Sequence, residues 1–126
     1  MEYVFTQHAP RPVGPYSQAV VQGGVAYLAG QVALDPGTGR PSGDGIEEQT
    51  ERALANLAAV LAAAGSSWDR VLRVGVYLAD MQDFPRFNAV YERVLGSARP
   101  ARSTLQVARL PLDLLIEIDA VAACGP

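Results

Sequence analysis

The stretch Pro100–Ala122, PARSTLQVARLPLDLLIEIDAVA, decides the architecture, because it reads as two strands joined by a loop around Pro111. In the first, Arg102–Ala108, the two-residue period of extended chain puts Arg102, Thr104 and Gln106 on one face and Ser103, Leu105 and Val107 on the other. In the second, Leu114–Ala122, residues Leu114, Ile116, Ile118 and Ala120 face one way and Leu115, Glu117, Asp119 and Val121 the other. Two carboxylates therefore share one face of a strand otherwise suited to burial. The pairing of a strand arginine with a strand glutamate admits two readings. One is a structural ion pair within the sheet; the other is a pocket where the guanidinium holds a small carboxylate beside a water.

Upstream, Val71–Ala79 supplies a strand with an apolar face of Leu72, Val74, Val76 and Leu78 against a mixed face of Val71, Arg73, Gly75 and Tyr77. Asp83 is expected to cap a helix reaching about Leu95, with Pro85 tolerated in its first turn. Phe84, Phe87, Tyr91, Val94 and Leu95 form its buried stripe, and Asn88 interrupts that stripe. An amide there is satisfied by backbone or reaches a neighbouring pocket. Asp44-Gly45-Ile46-Glu47 has capping-box spacing and opens a longer helix, with a stripe of Ala53, Leu54, Leu57, Ala58, Leu61 and Ala64 and a stop at Gly65.

Gly23-Gly24 predicts a tight hairpin between strands near Gln18–Gln22 and Val25–Val32. Gly30 within the second of these marks a bulge or a backbone that a ligand approaches closely. Residues 1–13, with Pro10 and Pro12, read as an extended arm, and residues 35–45 as a loop rich in Gly and Pro.

The order β-β-α-β-α-β-β over one domain, residues 1–126, predicts an α+β two-layer sandwich: a mainly antiparallel sheet with two helices on one face. The uncovered face would carry Tyr77, Leu115 and Val121 beside Arg73, Glu117 and Asp119. That face is too apolar to leave wet and too charged for a closed core. A homo-oligomer that buries it and leaves polar clefts between subunits resolves the conflict.

Composition narrows the chemistry. All ten basic residues are arginine, so neither a lysine Schiff base nor a phosphate-loop lysine is available. His8 is the only histidine and Cys124 the only cysteine, which leaves no usual zinc set and no internal disulfide. No cofactor or metal is expected. Net charge is −3 without a basic cluster, so nucleic acid is not an expected partner. No apolar run has the length of a membrane span or a signal peptide, which makes the cytoplasm the expected location.

Ordered motifs run along nearly the whole chain: GPYSQAV at 14–20, GQVALDP at 30–36, EEQTERALANL at 47–57, AAGSSWDRV at 63–71, VYLADMQDF at 76–84, FNAVYE at 87–92, and PARSTLQVARLP followed by IEIDAVA. In these the chain resembles the RidA (YjgF/UK114) family. The resemblance implies a chorismate-mutase-like subunit in a homotrimer, with active sites in the clefts between subunits. It also implies hydrolysis of the reactive imines and enamines 2-aminoacrylate, 2-iminopropanoate and 2-iminobutanoate to 2-oxo acids and ammonia. Carried over position by position, Arg102 would hold the substrate carboxylate and Glu117 would position water. Tyr16 and Asn88 would line the pocket, and the Gly30 backbone would touch the ligand. Two positions depart from the common pattern: Ala29 stands where many members have serine, and Thr104 where many have cysteine. Thr104 keeps a small polar group on the Arg102 face and stays among the substrate-binding candidates, whereas Ala29 bears on substrate preference. Two alternatives stay open: a trimer that binds a small carboxylate without turnover, and a family enzyme acting on a different imine or amide.

Overall fold

Gly23 and Gly24 both take positive φ, 60° and 75°, the conformation a two-residue hairpin turn requires. They join β2 (Ala19–Gln22) to β3 (Val25–Val32) in register, with Gln22 opposite Val25. The computed structural model describes residues 1–126. Its six strands form one sheet in the order β1-β2-β3-β6-β4-β5, where β1 is Glu2–Val4, β4 Val71–Leu78, β5 Ala101–Gln106 and β6 Ile116–Ala123. Every pairing is antiparallel except β4 with β5, which are linked through helix α2 (Phe84–Leu95) and run parallel. A parallel pair needs such a crossover, whereas the hairpin needs two residues. The α+β sandwich with both helices on one face is therefore the observed architecture.

The core lies between the sheet and the helices. Leu54, Leu57 and Leu61 of α1 (Ile46–Ala63) and Phe87 of α2 are fully buried against Val74, Val76, Ile116 and Ile118. Burial of an aliphatic side chain of this size stabilises by roughly 1.5–3 kcal/mol, so this layer dominates the fold's stability. Neither helix is long and apolar enough to cross a membrane.

Local expectations needed correction at four places. The arm contains β1, which pairs with β2, and buried Gln18 latches residues 6–10: its amide donates to Pro10 O (3.0 Å) and Thr6 O (3.1 Å) and accepts from Thr6 N (2.7 Å). The prolines prevent ladder bonds only from Pro10 onward, so the first residues are free to pair. The Asp44 capping box does not form, because Gly45 is the N-cap of α1 and no side chain bonds there. Asp83 stands at the N-cap of α2, yet its carboxylate pairs with Arg86 at 2.6 Å, and Asp80 caps the preceding 3-10 turn through Gln82 N. In β4 the pairing slips between Val71 and Arg73, so Val71 is buried in the place expected for Leu72, which is 53% exposed. A bulge shifts side-chain parity by one residue, and periodicity alone does not report it.

Candidate active site

Strand order and register assign each candidate residue to a face. Val74 pairs with Arg102 and Val76 with Thr104 across β4 and β5, while Val76 pairs with Ile118 and Tyr77 with Glu117 across β4 and β6. Paired residues share a face. Arg102 and Thr104 therefore lie on the helix-covered side, beyond the core valines, and Glu117 lies on the open side. The sheet separates them, and β4 stands between their strands. Within one chain they form neither an ion pair nor a shared pocket, which corrects the reading of a structural ion pair within the sheet.

On the helix side, Arg102 extends from edge strand β5 towards α2. Its Nη1 donates to Asn88 Oδ1 at 2.8 Å. Its guanidinium carbon stands 4.7 Å from the Tyr91 ring centroid, 5.5 Å from Phe87 and 5.6 Å from Phe84. An i, i+3, i+4, i+7 spacing brings these three rings and Asn88 to one side of α2. Asn88 thus interrupts the apolar stripe in order to hold the arginine, the second of the options its position left open. Cation–π contact and a charge-assisted bond orient the fork and leave most of its five donors free. Beside it opens a cavity of about 440 Å³ lined by Asn88, Tyr91, Glu92, Arg99 and Arg102 among others. Burial pushes the Tyr91 phenol above its usual range, opposed by the charge of Arg102. The Tyr91 and Thr104 hydroxyls are buried on this side without a hydrogen-bond partner. The sequence reading missed Tyr91 and Arg99 as pocket residues. Tyr91 carried a signal, its place one turn beyond Asn88, but it was absorbed into the apolar stripe.

On the open side, the Glu117 side chain lies over Gly30. A Cβ built on Gly30 would come within 2.5 Å of Glu117 Oε2 and 2.8 Å of its carboxyl carbon. The β3–β6 register shifts between Leu28 and Gln31, so Gly30 sits in a bulge and is also a site of close approach, by Glu117 of the same chain. Burial raises the Glu117 carboxyl above its ordinary value, and the neighbouring charge of Asp119 raises it further. Asp119 in turn accepts from Tyr77 Oη at 2.9 Å and from Gly75 N at 3.1 Å. Tyr16, 54% exposed, lines a shallow depression of about 680 Å³ together with Tyr27 and Ala29. Tyr27 pairs with Val121, which shares the parity of Glu117, so the depression belongs to the open side. The six candidates thus divide evenly: Arg102, Asn88 and Thr104 on one side, Glu117, Gly30 and Tyr16 on the other.

No cluster of His, Cys, Asp or Glu is arranged to hold a metal ion. What the arrangement offers is an oriented, cup-held guanidinium and a carboxylate of raised proton affinity, on opposite sides of one sheet.

Comparison with known proteins returns a consistent set. The family model described as Endoribonuclease L-PSP matches residues 6–124. A RutC family protein of Pyrococcus horikoshii is 48% identical over 121 residues, which cover 96% of each chain. A mouse protein named 2-iminobutanoate/2-iminopropanoate deaminase is 42% identical over 123 residues, covering 98% of this chain and 91% of that one. The crystal structure of Escherichia coli TdcF with bound serine superposes with a TM-score of 0.94 at 35% identity, covering 99% of this chain and 100% of that one.

Proposed function

The chain belongs to the RidA family, the group matched by the Endoribonuclease L-PSP model, and from that premise we propose that it hydrolyses small 2-imino acids to 2-oxo acids and ammonia. The substrates are 2-aminoacrylate and its imine tautomer 2-iminopropanoate, together with 2-iminobutanoate. The observation that carries the reading is the Arg102 guanidinium, bonded to Asn88 and cupped by three rings at the mouth of a cavity. It suits the α-carboxylate of such an acid, which a planar fork grips with two parallel bonds.

The complete site needs two copies. The β5 edge of one copy, bearing Arg102 and Thr104 with Asn88 of α2 beside them, meets the open face of another, bearing Glu117, Gly30 and Tyr16. The exposed Tyr16, Tyr27 and Leu105 favour burial of that face. A homotrimer closes three such junctions into a ring.

The reaction then follows from the groups present. Water held by Glu117 adds to C2 of the protonated imine, and Glu117 takes its proton. The resulting carbinolamine receives that proton back on nitrogen, the C–N bond breaks, ammonia leaves, and the remaining hydroxyl loses its proton to give the 2-oxo acid. Arg102 holds the carboxylate through both steps and fixes C2 against the water. A carboxylate with raised proton affinity is matched to a base that must also return its proton. The iminium carbon is already electrophilic, so a positioned water and base suffice.

A second reading, ligand binding without turnover, draws on Ala29, which brings no hydroxyl to the Tyr16 depression, and on the serine held by the related TdcF. One assay separates the two. A threonine or serine dehydratase generates the imine, and 2-oxo-acid release is followed with and without this protein. Acceleration that Arg102→Ala abolishes supports hydrolysis. Tight calorimetric binding of 2-oxobutanoate with no acceleration of any of the three imines would instead establish the binding reading.

A further inference from the structure

Glu117 does not stand alone on the open face. Asp119 lies two residues along β6, hence on the same side and about 7 Å away by strand geometry. Its carboxylate is fixed by donors on the adjacent strand: Gly75 N to Oδ1 at 3.1 Å and Tyr77 Oη to Oδ2 at 2.9 Å. Gly75 is there because a Cβ would overlap Asp119 Oδ1 and come within 2.7 Å of the Tyr77 hydroxyl. Tyr77 is also the cross-strand partner of Glu117, so the residue that holds Asp119 stands in register with the other acid. Three residues of β4 and β6 thus lock one negative charge beside the carboxylate assigned to water.

We infer that Asp119 is a positioning residue for the hydrolysis: a fixed charge, clamped by Tyr77 and Gly75, that keeps Glu117 basic enough to take and return the water proton. The inference rests on the role proposed for Glu117 and deepens it. Other groups on this face have other duties. From β4, Arg73 donates its Nη2 to Ser103 Oγ at 3.1 Å and stands opposite Val121, beyond Asp119. From β3 and β1, Tyr27 and Tyr3 contribute phenols more than half exposed. In the joined site a second copy's Arg102 arrives paired with the substrate carboxylate. Burial is the larger cause of the raised Glu117 carboxyl, and the fixed charge of Asp119 acts in the same direction. An unclamped aspartate would turn towards solvent, where screening weakens the coupling.

The test uses the full chain and two readouts. The first is the titration of the Glu117 side-chain carboxyl carbon by NMR, assigned by its loss in Glu117→Gln. The second is the acidic limb of the kcat/KM profile for 2-iminobutanoate. Asp119→Asn preserves shape and removes the charge, and both midpoints are expected to move to lower pH. Tyr77→Phe loosens the clamp but keeps the charge, so a smaller fall in the same direction is expected. Unchanged midpoints in either variant would overturn the inference. If Asp119→Asn does not fold, Tyr77→Phe and the wild type decide together: unchanged midpoints in Tyr77→Phe, or a wild-type Glu117 titration within the ordinary glutamate range, overturn the inference. Failure of the underlying reading looks different: Glu117→Gln would keep full turnover, while the NMR titration would still report whether Asp119 raises Glu117.

Discussion

The two sides of the sheet hold their functional groups in opposite ways. On the helix side, Arg102 is charged, bonded to Asn88 and surrounded by aromatic faces, so its environment favours the ion and aims it. On the open side, Glu117 is crowded over Gly30 next to Asp119, so its environment works against the ion. On the proposed reading, one half would bind an anion and the other would move a proton. Co-locating a stabilised cation and a destabilised anion in one chain would let them neutralise each other, and the carboxylate would lose its raised affinity for protons. Placing them on opposite faces keeps them apart within one chain.

Separate variants of each half test that division most severely. Glu117→Gln removes the base and is expected to lower kcat by ~10²–10⁴-fold, the usual contribution of a positioned proton acceptor. Calorimetric affinity for 2-oxobutanoate should stay near wild type. Arg102→Ala, measured by the coupled dehydratase assay, should cost about 10²-fold in kcat/KM, because charge-assisted bonds are worth about 1.5–3 kcal/mol. Here 2-oxobutanoate affinity should fall as well. Mixing these two inactive variants by unfolding and refolding them together is the decisive extension. If each site joins the Arg102 half of one copy to the Glu117 half of the next, random assortment restores about a quarter of the sites. No recovery would mean that the two halves do not combine across copies.

Smaller effects sharpen the contrast. Asn88→Ala frees the guanidinium without removing it. Losing one hydrogen bond, about 1 kcal/mol, should raise KM several-fold and leave kcat nearly unchanged in the same assay. The opposite face should reveal itself in stability. Glu117 has a folded-state pKa raised by burial and then by Asp119, so the folded form binds its proton more tightly than the unfolded chain. Its contribution to stability is fully present below the unfolded pKa and is lost as pH rises through the folded one. Glu117→Gln carries no such loss. Its Tm is expected to exceed the wild-type value modestly at pH 7, and the difference should close on acidification towards pH 4.

Period-two alternation correctly grouped Arg102 with Thr104 and Glu117 with Asp119, because each grouping stays within one strand. It did not relate the two groups to each other. That relation depends on β4 inserting between β5 and β6, a long-range choice made by packing under α2. Leu72 shows the same limit on a smaller scale, since one slipped pair in β4 exchanges it with Val71. The hairpin at Gly23-Gly24 was legible because the positive φ of its turn is a local demand. The Asp44 cap was not borne out, since chain entry at Gly45 left that side chain unbonded. Asn88 was legible only as an anomaly in an apolar stripe, and its partner 14 residues away emerged with the fold.

By itself the sequence determined five of the six strands and both helices, the α+β class, the residue types available for chemistry and, through its ordered motifs, the family. Those follow from local periodicity, turn stereochemistry and composition, each readable within a few residues. Only the tertiary structure decided that Arg102 and Glu117 stand on opposite faces, that Gly30 makes room for Glu117, and that Tyr77 and Gly75 clamp Asp119. Each of these depends on which strand lies beside which and in what register, and that is set by burying one shared core between distant segments of the chain.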